Sequence, residues 1–147
     1  MNRPQKVVAY IVKDGRIVVL RHADLAWDET GLQVPAGTVK PGELPEHAVL
    51  REASEETGLG GLRIVQYLGT GEYDVRPYAD ATHARHYFHL TTDSKDLPER
   101  WEAHEDNDGV GERIRFELYW VPLEKAHVIG AGQGAFLGRV VDDSAAT

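Results

Sequence analysis

Gly37-Thr-Val-Lys-Pro-Gly-Glu43-Leu-Pro45-Glu-His-Ala-Val49-Leu50-Arg51-Glu52-Ala53-Ser-Glu55-Glu56-Thr-Gly58-Leu59 decides how this chain is read. Its second half predicts a helix over residues 45–57. Proline suits the first helical position, where its missing N–H is not needed, and Gly58 suits the left-handed residue that stops a helix. Leu44 is a poor N-cap, so the start is marked less sharply than the end. Val49, Leu50 and Ala53 form a stripe that faces a core. Glu52, Glu55 and Glu56 stand at i, i+3 and i+4, on one side of that helix. Like charges at this spacing destabilise an isolated helix by about 0.2–0.5 kcal/mol per pair. They also occupy the last turns, where the macrodipole disfavours anions. A hard divalent cation reverses the sign, because Mg²⁺ or Mn²⁺ prefers oxygen ligands. The plainer reading is a solvated acidic face.

Outward from the helix, residues 6–22 read as a hairpin around Asp14-Gly15. Its two runs, Val7–Val12 and Ile17–Leu20, are almost wholly apolar, so the sheet is expected to be covered on both faces. A turn-rich loop follows to about Gly31, then a short extended piece from Leu32 to Val39. Strands are predicted through Leu62–Tyr67, over about 84–92, and over 113–121, where Ile114, Phe116, Leu118 and Trp120 alternate with polar residues. Residues 93–112 read as a long surface loop, Ala135–Val141 as a short helix and 142–147 as a frayed tail. The 147 residues suit a single domain spanning 1–147. Sixteen Lys and Arg against twenty-four Asp and Glu give a net charge of −8, which argues against nucleic-acid polymers and anionic membranes as partners. The absence of cysteine excludes disulfides and thiolate metal sites. No apolar run reaches membrane-spanning length and no signal region is evident, so a cytoplasmic location is expected.

The segment 37–59 resembles the signature of the Nudix hydrolases. Gly37, Glu43, Arg51, Glu52, Glu55, Glu56 and Gly58 fill its fixed positions, and Ala53 and Leu59 its aliphatic ones. With each fixed type at about 5–7% of average composition, chance agreement is on the order of 10⁻⁸ or less per starting point. Leu-Gln-Val-Pro-Ala-Gly at 32–37 is similar to the preceding family strand, with Ala36 where glycine is commoner.

The resemblance implies an α/β (α+β) fold, a mixed β-sheet sandwiched between helices. It also implies hydrolysis of a phosphoanhydride bond in a small nucleoside-diphosphate-linked substrate by water attack at phosphorus, aided by Mg²⁺ or Mn²⁺. Glu52, Glu55, Glu56 and the Gly37 carbonyl are then the metal ligands. Arg51 and Glu43 become a salt pair that orients them, and Gly58 lets the helix stop. The general base is Glu52 or Glu55, or a later loop carboxylate among Glu102, Glu105, Asp106 and Glu112, of which Glu105 is the one selected. Nucleoside triphosphates or dinucleoside polyphosphates suit a compact domain, and a homodimer stays open. The alternatives are a Nudix-fold binding or regulatory domain without hydrolysis, and an acidic metal-binding protein outside the family.

Other features carry less. His83, His86 and His89 do not form a metal cluster on a strand, because His86 faces away from the others and those lie about 20 Å apart at roughly 3.3 Å per residue. They read as surface histidines. Asp106-Asn107-Asp108-Gly109 lacks the acidic residue a calcium loop needs, and Arg115 stands in its place. The glycines at 130–134 have too little chain after them for a dinucleotide fold. Trp27, Arg21 and Arg85 are candidate substrate contacts, through base stacking and phosphate binding. Packing is the plainer reading for Trp27, and a surface salt bridge for Arg21.

Overall fold

β1 (Gln5–Lys13) carries buried side chains on both faces, and covering both dictates the layers around it. The computed structural model describes residues 4–23, 32–74, 82–95, 97–106, 113–129 and 133–140. Beyond β1 the elements are β2 (Arg16–His22), β3 (Ala36–Thr38), α1 (Pro45–Thr57), β4 (Leu62–Asp74), β5 (Thr82–Thr92), β6 (Arg100–Asp106) and β7 (Arg113–Pro122). Two 3-10 helices follow, η1 (Leu123–Val128) and η2 (Leu137–Arg139). The strands form one seven-stranded sheet, ordered β4-β5-β1-β2-β7-β6, with β3 joined to β1. β1 and β5 are parallel and the remaining strand pairs antiparallel, so the sheet is mixed and the fold is α+β.

Asp14 and Gly15 both take positive φ, at 53° and 76°, as a two-residue hairpin turn requires. The hairpin does not stay closed. Val12↔Ile17 and Lys13↔Arg16 pair next to the turn, and farther along residues 32–38 are wedged between the strands. Gln33 and Leu20 exchange backbone hydrogen bonds of 2.9 and 2.8 Å, the Ala9 N–H donates to Pro35 O at 2.8 Å, and Gly37 lies opposite Val7. That wedge fixes Gly37 in the sheet.

One face of the sheet presents Val7, Ala9, Ile11, Phe88 and Leu90 to Ala48, Val49 and Ala53 of α1. Full burial of a side chain such as Val49 contributes on the order of 1.5–3 kcal/mol. The opposite face presents Val8, Tyr10, Val12 and Tyr87 to Ala126, Ile129, Phe136 and Leu137 from the C-terminal segment. Among the described residues the second helical layer is therefore made of 3-10 turns. Of the short helix expected over 135–141, the described residues 135–140 form only the 3-10 turn η2, and Gly134 and Gly138 lower helix propensity there.

Two other sequence readings are corrected. Residues 93–112 contain β6, an edge strand paired to β7 throughout. Its charges hide a short alternation in which Ala103 is buried and Trp101 half-buried while Glu102 and His104 face water. Trp101 Nε1 donates to Thr57 O at 2.8 Å, satisfying a carbonyl at the end of α1. His89 is 2% exposed, so it belongs to the interior and not the surface. The alternation of β5 puts it beside Tyr87 on the face covered by the C-terminal segment. Among the described residues no helix is long and apolar enough to cross a membrane. Trp27 and the tail 142–147 lie outside the described residues.

Candidate active site

α1 begins at Pro45 with no side-chain cap from Leu44 and ends on Gly58, whose φ is 71° and whose N–H donates to Ser54 O. Thr57 adds a closure, donating from Oγ1 to Ala53 O at 2.6 Å and accepting the Leu59 N–H at 3.1 Å. The helix has no basic residue in its last turn, so the acidic side chains there need neutralising from elsewhere.

Arg51 supplies part of that. Its Nε and Nη2 donate to the two oxygens of Glu43 at 2.8 and 2.9 Å, a bidentate fork. Nη1 donates to Glu52 Oε1 at 2.9 Å and makes a longer 3.4 Å contact to Glu55 Oε2. Nη2 also reaches Thr38 O at 3.0 Å, joining the helix to β3. The Lys40 N–H donates to Glu43 Oε1 at 3.0 Å. One guanidinium thus ties three carboxylates to the loop after Gly37. The hydrogen bonds from Arg51, then that from Lys40, lower the Glu43 carboxyl from its ordinary 4.5 to about 2. A carboxyl held below its unfolded value stabilises the fold above that value, and the contribution disappears as pH falls through the folded one. The stability advantage of the native protein over Glu43→Gln is therefore expected to be complete above about pH 4.5 and to vanish towards pH 2. Thermal unfolding of both proteins across that window checks this, and parallel curves would contradict it.

Glu52 and Glu56 are 8% and 7% exposed, which is unusual for carboxylates and calls for compensation. Both turn towards the wedge. Glu56 Oε2 accepts the Ala36 N–H at 3.2 Å. The Glu52 carboxylate occupies the place where a side chain on Gly37 would begin, since a Cβ built there would meet its Cδ at 2.0 Å. The glycine at 37 thus leaves a cradle that Glu52 fills. Two buried carboxylates against the backbone of 36–37 form an all-oxygen donor set, and its chemistry fits a hard divalent cation. Glu55 is on the same flank but turned outward, its side chain 45% exposed. Among the described residues no three His, Asp or Glu side chains meet at one point.

An open cleft of about 310 Å³ adjoins this cradle, lined by Lys6, Val7, Val8, Ala36, Gly37, His83 and Arg85. Among the described residues, Arg85 is the one expected substrate contact that lies there. Arg21 pairs instead with Glu117 at 2.8 Å, directly across the β2–β7 ladder. Trp27 is outside the described residues, and Glu105 is placed by its backbone alone, in β6 opposite Ile114. Neither Lys6 nor His83 was among the substrate contacts expected from the sequence, where His83 read only as a surface histidine. Lys6 becomes Arg85's neighbour only through the parallel β1–β5 pairing, which no local pattern announces. Alternation along β5 already placed His83 on the face of Arg85, and that was the available signal.

A family model, the NUDIX domain, matches residues 2–138. The chain is similar to an RNA pyrophosphohydrolase of Gluconobacter oxydans (strain 621H), 38% identical over 63 residues that make up 43% of this chain and 36% of that protein. It is also similar to an ADP-ribose pyrophosphatase of Bacillus subtilis (strain 168), 31% identical over 107 residues, 72% of this chain and 55% of that protein. The matched part thus spans about a third and about half of these two relatives. Among solved structures, a MutT NUDIX hydrolase from Burkholderia pseudomallei superposes with a TM-score of 0.66 over 96% of this chain and 100% of that one, at 21% identity, a likeness of fold.

Proposed function

The chain belongs to the Nudix family, and on that premise we propose that it hydrolyses a phosphoanhydride bond in a small nucleoside-diphosphate-linked substrate, with Mg²⁺ or Mn²⁺ as cofactor. Nucleoside triphosphates and dinucleoside polyphosphates are the favoured substrates. The observation that carries this reading is the convergence of Glu52 and Glu56 on the 36–37 backbone, beside a cleft with three basic side chains.

Glu52, Glu56 and the Gly37 carbonyl are the groups that would hold the cation. Bound there, it would neutralise phosphate charge and lower the pKa of water. The chain's own residues supply the rest. Arg51 holds Glu52 in place through a 2.9 Å hydrogen bond. Glu55, outward-facing and held by the longest of the Arg51 contacts, is the carboxylate we assign to take a proton from the attacking water. The water oxygen forms the new bond to phosphorus, the anhydride P–O bond breaks, and its electron pair leaves with the departing phosphate. Lys6, His83 and Arg85 line the surface on which the phosphate chain would rest.

Hydrolysis in ¹⁸O-labelled water tests this chemistry. One labelled oxygen is expected in a phosphate-bearing product. Turnover that leaves every phosphate unlabelled would overturn attack at phosphorus. Binding of nucleotides without turnover would instead favour a non-hydrolytic regulatory domain.

A further inference from the structure

Gln133 is 7% exposed, a depth at which a glutamine side chain needs partners. It precedes η2 in the C-terminal segment, which covers the sheet face opposite α1 through Phe136 and Leu137. Its Oε1 accepts the Val34 N–H at 2.8 Å, in the interior. Its own carbonyl accepts the Tyr10 hydroxyl, and the same hydroxyl oxygen accepts the Phe136 N–H at 3.2 Å. Tyr10 is fully buried in β1, so Gln133 is anchored at its backbone while its side chain reaches the wedge. A parallel bridge between Leu32 and Ile129 ties the start of the wedge to the same segment.

The contact to Val34 falls at a sensitive point of the wedge. Gln33 exchanges hydrogen bonds with the backbone of Leu20, but the next N–H, that of Val34, is satisfied by a side chain instead of a strand. Pro35 follows, with no N–H and with φ fixed at about −65°. Its carbonyl is held by the Ala9 N–H at 2.8 Å. Little rotation is left between Val34 and Ala36, so a displacement at one is passed to the other. The Ala36 N–H donates to Glu56 Oε2, and Gly37 leaves the space that Glu52 fills. Both carboxylates therefore rest on a backbone that Gln133 fixes from the other face of the sheet. Glutamine suits this place because it offers a neutral acceptor, adding no charge to a region that already buries two carboxylates.

We propose that Gln133 is a positioning residue of the active site, setting through the Val34–Gly37 backbone the place at which Glu56 and Glu52 meet a divalent cation. This deepens the metal-dependent reading of the site and rests on it. A glutamine that merely fastened the C-terminal segment would contribute to stability and leave cation affinity alone.

The test measures Mn²⁺ affinity by electron paramagnetic resonance, with no substrate present, and amide exchange by NMR without metal. Gln133→Met keeps the volume and removes the amide acceptor. It is expected to weaken Mn²⁺ binding about tenfold, the size of effect that one buried hydrogen bond carries, and to speed exchange at Val34 and Ala36 about tenfold or more. Tyr10→Phe loosens Gln133 at its carbonyl and leaves Oε1 in place, so a smaller loss, about threefold in Mn²⁺ affinity, is expected. It serves as the second variant should Gln133→Met not fold, which circular dichroism checks. Arg139→Ala is the control. It removes a 2.7 Å bond to Leu68 O and a cation–π contact to Phe136, both in the same segment but away from the wedge. It is expected to lower the thermal midpoint by a few degrees with Mn²⁺ affinity within about twofold of native. If the folded Gln133 and Tyr10 variants bind Mn²⁺ as tightly as the native protein, or if Arg139→Ala weakens binding as much as they do, the positioning role is overturned while the metal site stands. If the native protein binds no Mn²⁺, the metal-dependent reading falls and this inference with it.

Discussion

Replacing Glu56 with Gln is expected to lower metal-dependent phosphate release by about a hundredfold or more while the protein stays folded. The two effects separate because Glu56 has two duties. Its Oε2 accepts the Ala36 N–H at 3.2 Å, and a glutamine oxygen can accept the same bond. Its charge has no such substitute. A carboxylate 7% exposed at the end of a helix opposes the macrodipole and gives up hydration, so removing the charge does not cost stability by those routes. On the proposed reading, what is lost is a ligand for the cation. The checks are kcat/KM at saturating Mg²⁺ and the thermal midpoint. Activity within about threefold of the native protein would remove Glu56 from the site. A thermal collapse would show that its role is structural.

The second large effect is expected at Gly37. A methyl group there would lie 2.0 Å from Glu52 Cδ and 2.4 Å from both carboxylate oxygens, so the carboxylate must move. It is the end of a flexible side chain, and Gly37 is not among the residues with positive φ, so the backbone tolerates alanine. Relieving the 2.0 Å overlap moves the Glu52 carboxylate by about an ångström and disturbs its 2.9 Å bond to Arg51. Misplacement on that scale costs about a hundredfold in rate. Gly37→Ala is therefore expected to lose about tenfold to a hundredfold in kcat/KM, with the thermal midpoint lowered by only a few degrees. A tenfold to hundredfold loss of activity in a protein that unfolds only a few degrees lower is the signature sought. Unchanged activity would mean that Glu52 works from another position.

The features written in local spacing were legible from the residues alone. The i, i+3, i+4 carboxylates, the proline at the start of α1 and the glycine after it all describe neighbours along one helix, and the helix runs over the predicted residues. The apolar runs of the hairpin announced a sheet covered on both sides, and both covers are present. What escaped depends on partners distant in the chain. Trp101 sits among charges, and its purpose, closing the end of α1 through Thr57 O, exists only once β6 has paired with β7. Lys6 stood at the edge of the predicted hairpin, and only the pairing of β1 with β5 aligned it with Arg85. His89 carries a polar side chain, so sequence alone favoured the surface, and tertiary packing overrode that preference. The excess of negative charge also changes meaning. Part of it is gathered by Arg51 and part is buried against Gly37 and Ala36, a few residues from a basic cleft.

The most direct measurement is product release by the purified chain from nucleoside triphosphates, dinucleoside polyphosphates, ADP-ribose and nucleotide sugars, each with Mg²⁺ and with EDTA. The expected result is turnover of at least one of them in Mg²⁺, led by those with a phosphate chain, and none in EDTA. A folded protein that turns over none of the panel, or that works equally well in EDTA, would contradict a metal-dependent phosphoanhydride hydrolase.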